Sequence, residues 1–247
     1  MALPVTPDLP TVPSRSLKER CDLPDTDGIR LYTDGACIGN PGPGGWAYVF
    51  PDGDGGDGGD GEPVEASGRD AHTYTTNNKM ELTAAIRGLE ATPVGSTVSL
   101  TTDAQYVVNG MTEWLPGWQR NGWRNSKKEP VANRDLWEQL VGLAAARIVT
   151  WHWVKGHTDE NAGGDRWNHR CDEIASAQAV EATAAAIARG DRVVAACIAT
   201  ARNGRVCRRP ATIMDRARGG LVCATHAPVT TGAAVATPRE DAYHLWR

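Results

Sequence analysis

Four acidic residues, far apart along the chain, are the side chains best suited to do chemistry: Asp34, Glu81, Asp103 and Asp172. Each comes at the end of a predicted strand or near the start of a predicted helix. Such ends meet at one edge of a sheet flanked by helices, so we expect the four carboxylates to lie together. Carboxylate oxygens are ligands that Mg²⁺ prefers, and the group therefore predicts a site for hard divalent cations. For any one acid alone, a helix cap, a turn or a surface charge is the better explanation.

Alternating apolar and polar residues predict the strands that position these acids. Ile29, Leu31 and Thr33 alternate with polar neighbours and lead to Asp34 at a strand end. The glycine- and proline-rich turn 40–45 follows, and it lets the backbone approach a ligand closely. The predicted strands are 29–37, 45–50, about 65–74, 97–102 and 148–155.

Helical spacing of apolar residues predicts the remaining elements. The run 75–81 is rich in residues that cap a helix, and Leu82, Ile86 and Leu89 then form one apolar face. Glu81 is expected in the first turn of this helix, next to that face. Further helices are predicted at 105–111, at 136–146 and from about residue 166, where Asp172 falls within the first two turns. Residues 181–190 either extend the last helix or link onward.

The segment 113–134 interleaves tryptophans with basic residues and carries a net charge of +3. Cations that hold phosphates, with rings that stack on bases or pack on sugars, are typical of a nucleic-acid surface. The alternative is that the tryptophans form a small local core. We expect both, with some rings buried and the cations facing a substrate.

Composition narrows the class of protein. Of the 247 residues 40% are hydrophobic and 23% are charged, which is typical of a soluble globular protein. No apolar run is long enough to span a bilayer, and the proline-rich start lacks the features of a secretory signal. We therefore expect a cytoplasmic protein that does not bind membranes, with a disordered tail at 1–27.

The net charge of −4 does not exclude a nucleic-acid partner, because the acids are concentrated in one stretch. Six acids and no Lys or Arg lie between Asp52 and Glu65, and the rest of the chain carries −4 + 6 = +2. The Gly/Asp-rich part of this stretch lacks the spaced ligands of a calcium loop. It is predicted to be a flexible hairpin tip.

Several separate motifs, in order along the chain, resemble those of type 1 ribonuclease H. They are Tyr32-Thr33-Asp34-Gly35-Ala36-Cys37 with Asn40-Pro41-Gly42-Pro43-Gly44-Gly45, Thr76-Asn77-Asn78-Lys79-Met80-Glu81, Thr102-Asp103-Ala104-Gln105-Tyr106, Val154-Lys155-Gly156-His157 and Asn168-His169-Arg170-Cys171-Asp172-Glu173, together with the tryptophan-basic segment. The likeness covers about 28–180. It implies a ribonuclease H-like α/β fold, with a mixed five-stranded sheet flanked by helices, as a catalytic domain at 28–180.

This resemblance implies hydrolysis of the RNA strand of an RNA–DNA hybrid, which leaves 5′-phosphate and 3′-hydroxyl ends. Four carboxylates can hold two Mg²⁺ ions, for which Mn²⁺ can substitute, one activating the attacking water and the other stabilising the leaving oxygen. By its motif position, His157 resembles the mobile histidine of the family, which handles a proton or assists product departure.

The resemblance also implies the substrate contacts. The 2′-hydroxyl distinguishes RNA from DNA, and the residues expected to read the minor groove are Cys37, Asn40, Asn77, Asn78 and Gln105. The residues expected to hold the DNA strand are Thr76, Trp114, Trp118, Trp123, Arg124, Lys127 and Lys128. Asn and Gln at these positions are equally good helix caps. A monomer is expected.

The C-terminal segment suggests a second metal site. Cys197, Cys207, Cys223 and His226 have the spacing C-x9-C-x15-C-x2-H, and three cysteines with one histidine form a permitted structural zinc shell. With the arginines between them, they predict a small basic zinc module at 191–229, followed by a disordered tail at 230–247. The alternative is three reduced cysteines in a partly ordered tail.

Two other functions remain open from the sequence. The first is a module that binds RNA–DNA hybrids or double-stranded RNA without cleaving them. The second is a related nuclease or integrase of the same fold. The complete set of four acids favours an enzyme over the first, and the tryptophan-basic segment with the Lys-Gly-His run favours ribonuclease H over the second.

Overall fold

The structure is a computed structural model that describes residues 28–52, 62–70, 74–156 and 165–191, together with Val193 and four short strands between residues 195 and 222. The predicted tails at 1–27 and 230–247 lie outside the described residues, as does nearly all of the predicted hairpin tip. In the part of the chain that the structure describes, no helix has the length and apolar character needed to cross a membrane.

Five strands form the main sheet: β1 (Ile29–Cys37), β2 (Gly44–Phe50), β3 (Val64–Arg69), β4 (Thr97–Thr102) and β5 (Ile148–Trp153). Their order across the sheet is β3-β2-β1-β4-β5. β2 runs antiparallel to β1 and β3, whereas β1, β4 and β5 are parallel. The expected mixed five-stranded sheet is confirmed. The short strands β6 (Ala195–Ala196), β7 (Pro210–Ala211), β8 (Ile213–Asp215) and β9 (Gly220–Val222) pair as β6–β7 and β8–β9.

The helices are α1 (Asn77–Glu90), α2 (Gln105–Asn109), α3 (Leu115–Arg120), α4 (Arg134–Ala145) and α5 (Arg166–Ala188), with a π-helical turn at Gly110–Trp114 between α2 and α3. Thr76 caps α1 as predicted, because its hydroxyl accepts a hydrogen bond from the Lys79 N–H. The helical run 105–120 is longer than the predicted 105–111. Its added turns carry Trp118, whose ring packs edge-on against the buried Trp137.

The core lies between the sheet and the helices α1 and α4. Leu82, Ile86 and Leu89 are buried, so the apolar face predicted for α1 is confirmed. They meet Leu31 and Leu100 of the central strands within one cluster. Helix α5 lies against the opposite face of the sheet through small buried residues, among them Cys171, Ala175 and Ala179. The sheet therefore has helices on both faces.

Strand β1 has the predicted bounds and stays paired with β2 as far as Cys37 opposite Gly44. Asp34 is three residues before its end and not, as expected, at the end itself. The ladder between β1 and β4, however, stops at Tyr32 opposite Thr101. Asp34 therefore lies inside β1 but just beyond the last pair of the parallel ladder, where the sheet opens.

Other boundaries also differ from the predictions. β3 ends at Arg69 and β5 at Trp153, earlier than expected. Helix α5 runs to Ala188, so it passes the expected domain boundary at 180 and the first of the two alternatives for 181–190 is correct. The buried residues Ala182, Thr183 and Ala186 give this extension its own packed face.

Candidate active site

The strand β1 presents alternate residues to the two faces of the sheet. Gly35 lies against α1, since a Cβ placed there would overlap the backbone of Met80 and Glu81. Its neighbours Asp34 and Ala36 point to the opposite face, where α5 packs. Asp34 is almost fully buried, with 4% of its surface exposed. Its Oδ1 accepts a hydrogen bond of 2.7 Å from the Gly35 N–H, which holds the carboxylate close to the backbone.

Glu81 reaches the same place from helix α1. It is the fifth residue of the helix, so it lies in the second turn and not in the first turn as predicted. Its Oε2 accepts a hydrogen bond of 3.0 Å from the same Gly35 N–H, and its Oε1 accepts one of 3.2 Å from the Asn77 side chain. Helix α1 can approach β1 this closely because residue 35 is a glycine and has no side chain.

Asp103 follows β4 directly, and residues at and just after the end of β5 hold it in place. The indole N–H of Trp153 donates a hydrogen bond of 3.0 Å to the Asp103 carbonyl. Gly156 lies so close that a Cβ there would overlap the Asp103 carboxylate. These contacts follow from the parallel pairing of β4 with β5, in which Thr102 is opposite Trp153.

Three carboxylates meet where these elements converge. One oxygen each from Asp34, Glu81 and Asp103 lies within 4.8 Å of the other two. Burial, and then the negative charges of Asp34 and Asp103, raise the pKa of Glu81 well above its ordinary value. The Gly35 N–H opposes this shift by stabilising the charged form. Like charges this close repel one another, so the arrangement favours a bound cation.

Asp172 lines the same pocket as the other three acids. This position agrees with the expectation from the sequence that the last helix brings Asp172 to the other acids. It is the seventh residue of α5 and so lies within the first two turns, as predicted. It does not belong to the group of oxygens within 4.8 Å. Its distance from the other three therefore depends on how α5 lies against the sheet.

The donor set fits a hard divalent cation. The clustered ligand atoms are all carboxylate oxygens, which suit Mg²⁺ and Mn²⁺ better than softer metals. Two of the three carboxylates are buried, and among the described residues each of these two accepts a hydrogen bond from the neutral Gly35 amide. A cation would compensate their negative charge.

Comparison with known proteins identifies the family. A family model described as RNase H matches residues 26–180, which is more than half of the chain. The chain belongs to the ribonuclease H family. Its C-terminal part, beyond residue 180, falls outside this match.

Curated relatives agree with this family. The chain is 52% identical over 147 residues to the ribonuclease H of Syntrophotalea carbinolica, covering 60% of this chain and 88% of that relative. It is 47% identical over 150 residues to the ribonuclease H of Pelobacter propionicus, covering 61% of this chain and 83% of that one.

A solved structure shares the fold. It is LC9-RNase H1, described as a type 1 RNase H with the type 2 active-site motif. The TM-score is 0.50 at 30% sequence identity, and the match covers 64% of this chain and 74% of that one. The ribonuclease H-like fold implied by the sequence motifs is therefore confirmed.

All five residues expected to read the minor groove of a ribonuclease H substrate line the pocket that holds the acids: Cys37, Asn40, Asn77, Asn78 and Gln105. The Asn40 side chain accepts a hydrogen bond of 3.3 Å from the Asn77 N–H, which joins the turn after β1 to the start of α1. Burial raises the pKa of the Cys37 thiol to about 12, so it stays protonated and donates a hydrogen bond to the Gly42 carbonyl.

The residues expected to hold the DNA strand lie on other elements, where their rings pack together and their cations are exposed. Trp118 packs against Trp114, Trp123 and Trp137, so these rings form a local aromatic cluster. Trp114 keeps 37% of its surface exposed. The cations Arg124, Lys127 and Lys128 are exposed, and the Arg124 guanidinium donates to the Lys128 carbonyl. Thr76 serves as the helix cap described above.

Some predicted site residues lie outside the described residues. His157 directly follows the last described residue before a gap, and the four candidate zinc ligands Cys197, Cys207, Cys223 and His226 are also in undescribed segments. Their expected roles stay predictions.

Sequence reasoning missed the residues that support the acids without being acidic. Gly35 and Gly156 were part of quoted motifs, but their contacts with Glu81 and Asp103 depend on tertiary packing. Trp153 was assigned to a strand, and its hydrogen bond to the Asp103 carbonyl was not foreseen. The sequence offered one signal for this contact: Trp153 comes two positions before Lys155, the first residue of the Lys-Gly-His run.

Proposed function

We propose that this ribonuclease H cleaves the RNA strand of RNA–DNA hybrids at the pocket formed by Asp34, Glu81, Asp103 and Asp172, and that it uses divalent cations held by these residues. Hydrolysis leaves a 5′-phosphate and a 3′-hydroxyl. The observation that carries the proposal is the convergence of three carboxylate oxygens within 4.8 Å in a chain that belongs to this family.

The proposed metal ligands are the carboxylates of Asp34, Glu81, Asp103 and Asp172. The Gly35 N–H holds one oxygen each of Asp34 and Glu81 in place. Two Mg²⁺ ions, or Mn²⁺ in their place, would supply Lewis acidity for the attacking water and charge compensation at the leaving oxygen. Two buried ligands hold the site rigid before any substrate arrives.

His157 is proposed to handle a proton during the reaction or to assist release of the product. It comes directly after Gly156, whose backbone packs against the Asp103 carboxylate. This sequence position would bring an imidazole to the edge of the acidic pocket. An imidazole can take up and release a proton near neutral pH.

Recognition of the RNA strand is proposed for the polar residues that share the pocket with the acids. Cys37, Asn77 and Gln105 offer thiol, amide and backbone groups at its edge, and Asn40 and Asn78 lie beside them. Such groups can donate to or accept from the 2′-hydroxyl, which DNA lacks. Their proximity to the carboxylates would couple the choice of strand to cleavage.

The DNA strand is proposed to lie across the tryptophan-basic segment. Exposed cations at Arg124, Lys127 and Lys128 would neutralise phosphates, and the partly exposed Trp114 offers a ring for stacking or sugar contacts. Trp118 and Trp123 would support the Trp114 ring by packing beside it, and Thr76 would add a phosphate contact at the start of α1.

The proposal also includes that the protein is a monomer and acts in the cytoplasm.

The test compares three duplexes of one sequence: an RNA–DNA hybrid, double-stranded RNA and double-stranded DNA, each with Mg²⁺, Mn²⁺ or chelator. We expect cleavage of the hybrid alone, in its RNA strand, and no cleavage with chelator. The variant Asp34→Asn should lose cleavage but still bind the hybrid in a filter or anisotropy assay. The control Glu62→Gln, which changes an exposed carboxylate, should cleave at the wild-type rate.

Two results would contradict the proposal. Cleavage by Asp34→Asn at the wild-type rate would remove Asp34 from the site. Binding of the hybrid by the wild-type protein without cleavage under any metal condition would favour the alternative, a non-catalytic binding module.

We also propose that Cys197, Cys207, Cys223 and His226 bind one structural zinc ion. The support is their spacing and chemistry in the sequence, since three thiolates and an imidazole form a common zinc shell. Metal analysis of the purified chain should find about one zinc per molecule, and Cys207→Ser should lower this content. Purified wild-type protein without zinc would contradict this assignment.

A further inference from the structure

A hydrogen bond joins β1, the strand that carries Asp34, to the residue that caps α5, the helix that carries Asp172. The Tyr32 hydroxyl donates to Oδ2 of Asp165 over 3.0 Å, and the pair is partly buried. We propose that Tyr32 and Asp165 are positioning residues that fix Asp172 relative to the other three carboxylates. This inference rests on the proposed function, because it concerns the same metal site.

On the strand side, Tyr32 is held rigidly. It pairs with Val49 of β2 on one side and with Thr101 of β4 on the other, so its backbone is fixed within the centre of the sheet. Residues two apart in a strand point to the same face, and Tyr32 therefore faces α5 together with Asp34. The backbone that carries the Tyr32 side chain is thus held firmly by both neighbouring strands, two residues before Asp34.

On the helix side, the two oxygens of Asp165 have separate roles. Oδ1 caps α5 by accepting hydrogen bonds from the N–H groups of Trp167 and Asn168, at 2.9 and 3.3 Å. Oδ2 accepts from Tyr32. The same side chain therefore caps the N-terminus of α5 and attaches it to the sheet.

The helical repeat connects this attachment to Asp172. Asp172 comes seven positions after Asp165, which is almost two full helical turns, so both lie on the same side of α5 about 10 Å apart along its axis. Tyr32 and Asp34 are about 7 Å apart along β1. Tyr32 and Asp165 therefore occupy one position along the contact between β1 and α5. Asp34 and Asp172 occupy the next position along the same contact.

The other directional contact between this half of α5 and the sheet reaches the edge strand β3, where the Arg170 guanidinium donates to both carboxylate oxygens of Glu65 at 2.7 and 2.8 Å. This ion pair is well exposed and far from β1, so it constrains the position of Asp172 less than the partly buried Tyr32–Asp165 bond does. The helix packs through small buried residues such as Cys171 and Ala175, which set its distance from the sheet. Small apolar side chains resist rotation and sliding of a helix less than a hydrogen bond to a carboxylate does. Asp172 is the proposed ligand whose oxygen lies outside the 4.8 Å group, so its placement depends most on the position of α5.

The alternative is that the Tyr32–Asp165 bond stabilises the fold without affecting the metal site. Three variants separate the two explanations. Tyr32→Phe removes only the hydroxyl. Asp165→Ser keeps a good helix cap but removes the acceptor of Tyr32. Tyr48→Phe is the matched control, because Tyr48 is opposite Thr33 in the sheet and so faces α1 instead of α5.

The main measurement is Mg²⁺ binding to the free protein by titration calorimetry, supported by the Mg²⁺ dependence of hybrid cleavage. We expect Tyr32→Phe and Asp165→Ser to weaken Mg²⁺ binding by about threefold to tenfold, less than the roughly 10- to 100-fold typical of groups bonded directly to a ligand. The KM for the hybrid should not change, and excess Mg²⁺ should restore most of the cleavage rate. Tyr48→Phe should bind Mg²⁺ as the wild type does.

The double variant Tyr32→Phe/Asp165→Ser should bind Mg²⁺ no more weakly than the weaker of the single variants, because both remove the same bond. Hydrogen exchange at the amides of Trp167 and Asn168 should be faster in Tyr32→Phe. If Tyr32→Phe lowers the Tm but leaves Mg²⁺ binding at the wild-type value, the bond is only structural and the inference is wrong. If the wild type itself fails to cleave the hybrid, the proposed function is wrong instead.

Discussion

Removing one negative charge from the acidic group should stabilise the metal-free protein while it abolishes the metal site. Glu81→Gln is the sharpest test, because the side chain is 6% exposed and a glutamine has nearly the same shape. Its oxygen can still accept from the Gly35 N–H, and the Asn77 amide can turn to accept from the new NH₂ group.

The structure sets the size of the effect. At 4.8 Å, two unit charges repel by about 3.5 kcal/mol with an effective dielectric constant of about 20. Proton uptake by Glu81 limits this cost, because burial and then the charges of Asp34 and Asp103 raise its pKa. We therefore expect Glu81→Gln to gain about 2–3 kcal/mol at pH 7 without metal, or about 4–12 °C in Tm.

The dependence on pH has a definite sign. The pKa of Glu81 is raised in the folded state, so the folded protein binds a proton more readily than the unfolded chain does. As the pH falls from 7 toward 4.5, the wild type takes up this proton and gains stability relative to Glu81→Gln. The difference between the two proteins should therefore shrink across this range.

The assay is thermal and urea unfolding of both proteins in EDTA and in saturating Mg²⁺. A ligand at 100 times its Kd stabilises a protein by about 2.7 kcal/mol, and we expect a gain of this order for the wild type and much less for Glu81→Gln. The control Glu62→Gln should behave as the wild type under both conditions. If Glu81→Gln is less stable than the wild type in EDTA at pH 7, or gains as much from Mg²⁺, the electrostatic reasoning is wrong.

Two further predictions concern residues outside the acidic group. Gly156→Ala places a Cβ on the Asp103 carboxylate, so the rate of hybrid cleavage should fall by about tenfold or more, whereas Gly142→Ala, which meets nothing within 4 Å, should leave the rate unchanged. Equal rates for the two variants would contradict the close packing of Gly156 on Asp103. Arg147 is buried and donates to the carbonyls of Thr92 and Leu143, so Arg147→Ala should lower the free energy of unfolding by about 2–4 kcal/mol in urea titrations and leave the cleavage rate per folded molecule unchanged. An unchanged free energy of unfolding would mean that these carbonyls find other partners.

The pattern of apolar residues was enough to predict most of the elements. β4 was predicted with its observed bounds because Val98 and Leu100 alternate with polar residues, and both are buried. The buried face of α1 followed from the spacing of Leu82, Ile86 and Leu89. Such local patterns reflect burial on one side of an element, which the sequence records directly.

Element boundaries were predicted less well, for reasons that are not local. β5 ends at Trp153, two residues before its predicted end, because its ladder with β4 stops where Trp153 is opposite Thr102. The helical run after Gln105 extends to Arg120 because its aromatic residues find Trp137 on another helix. In both cases a partner distant in sequence decides where the element ends.

The sequence by itself determined the family of this protein and which acidic residues form the candidate site, because both follow from the types of residues and the order of the motifs. Only the tertiary structure decided that three carboxylates meet within 4.8 Å while Asp172 lies outside that group. It also decided that Tyr32 bonds to Asp165 and that Gly156 packs on Asp103. These distances depend on strand register and on how helices lie against the sheet, and neither quantity has a local signal in the sequence.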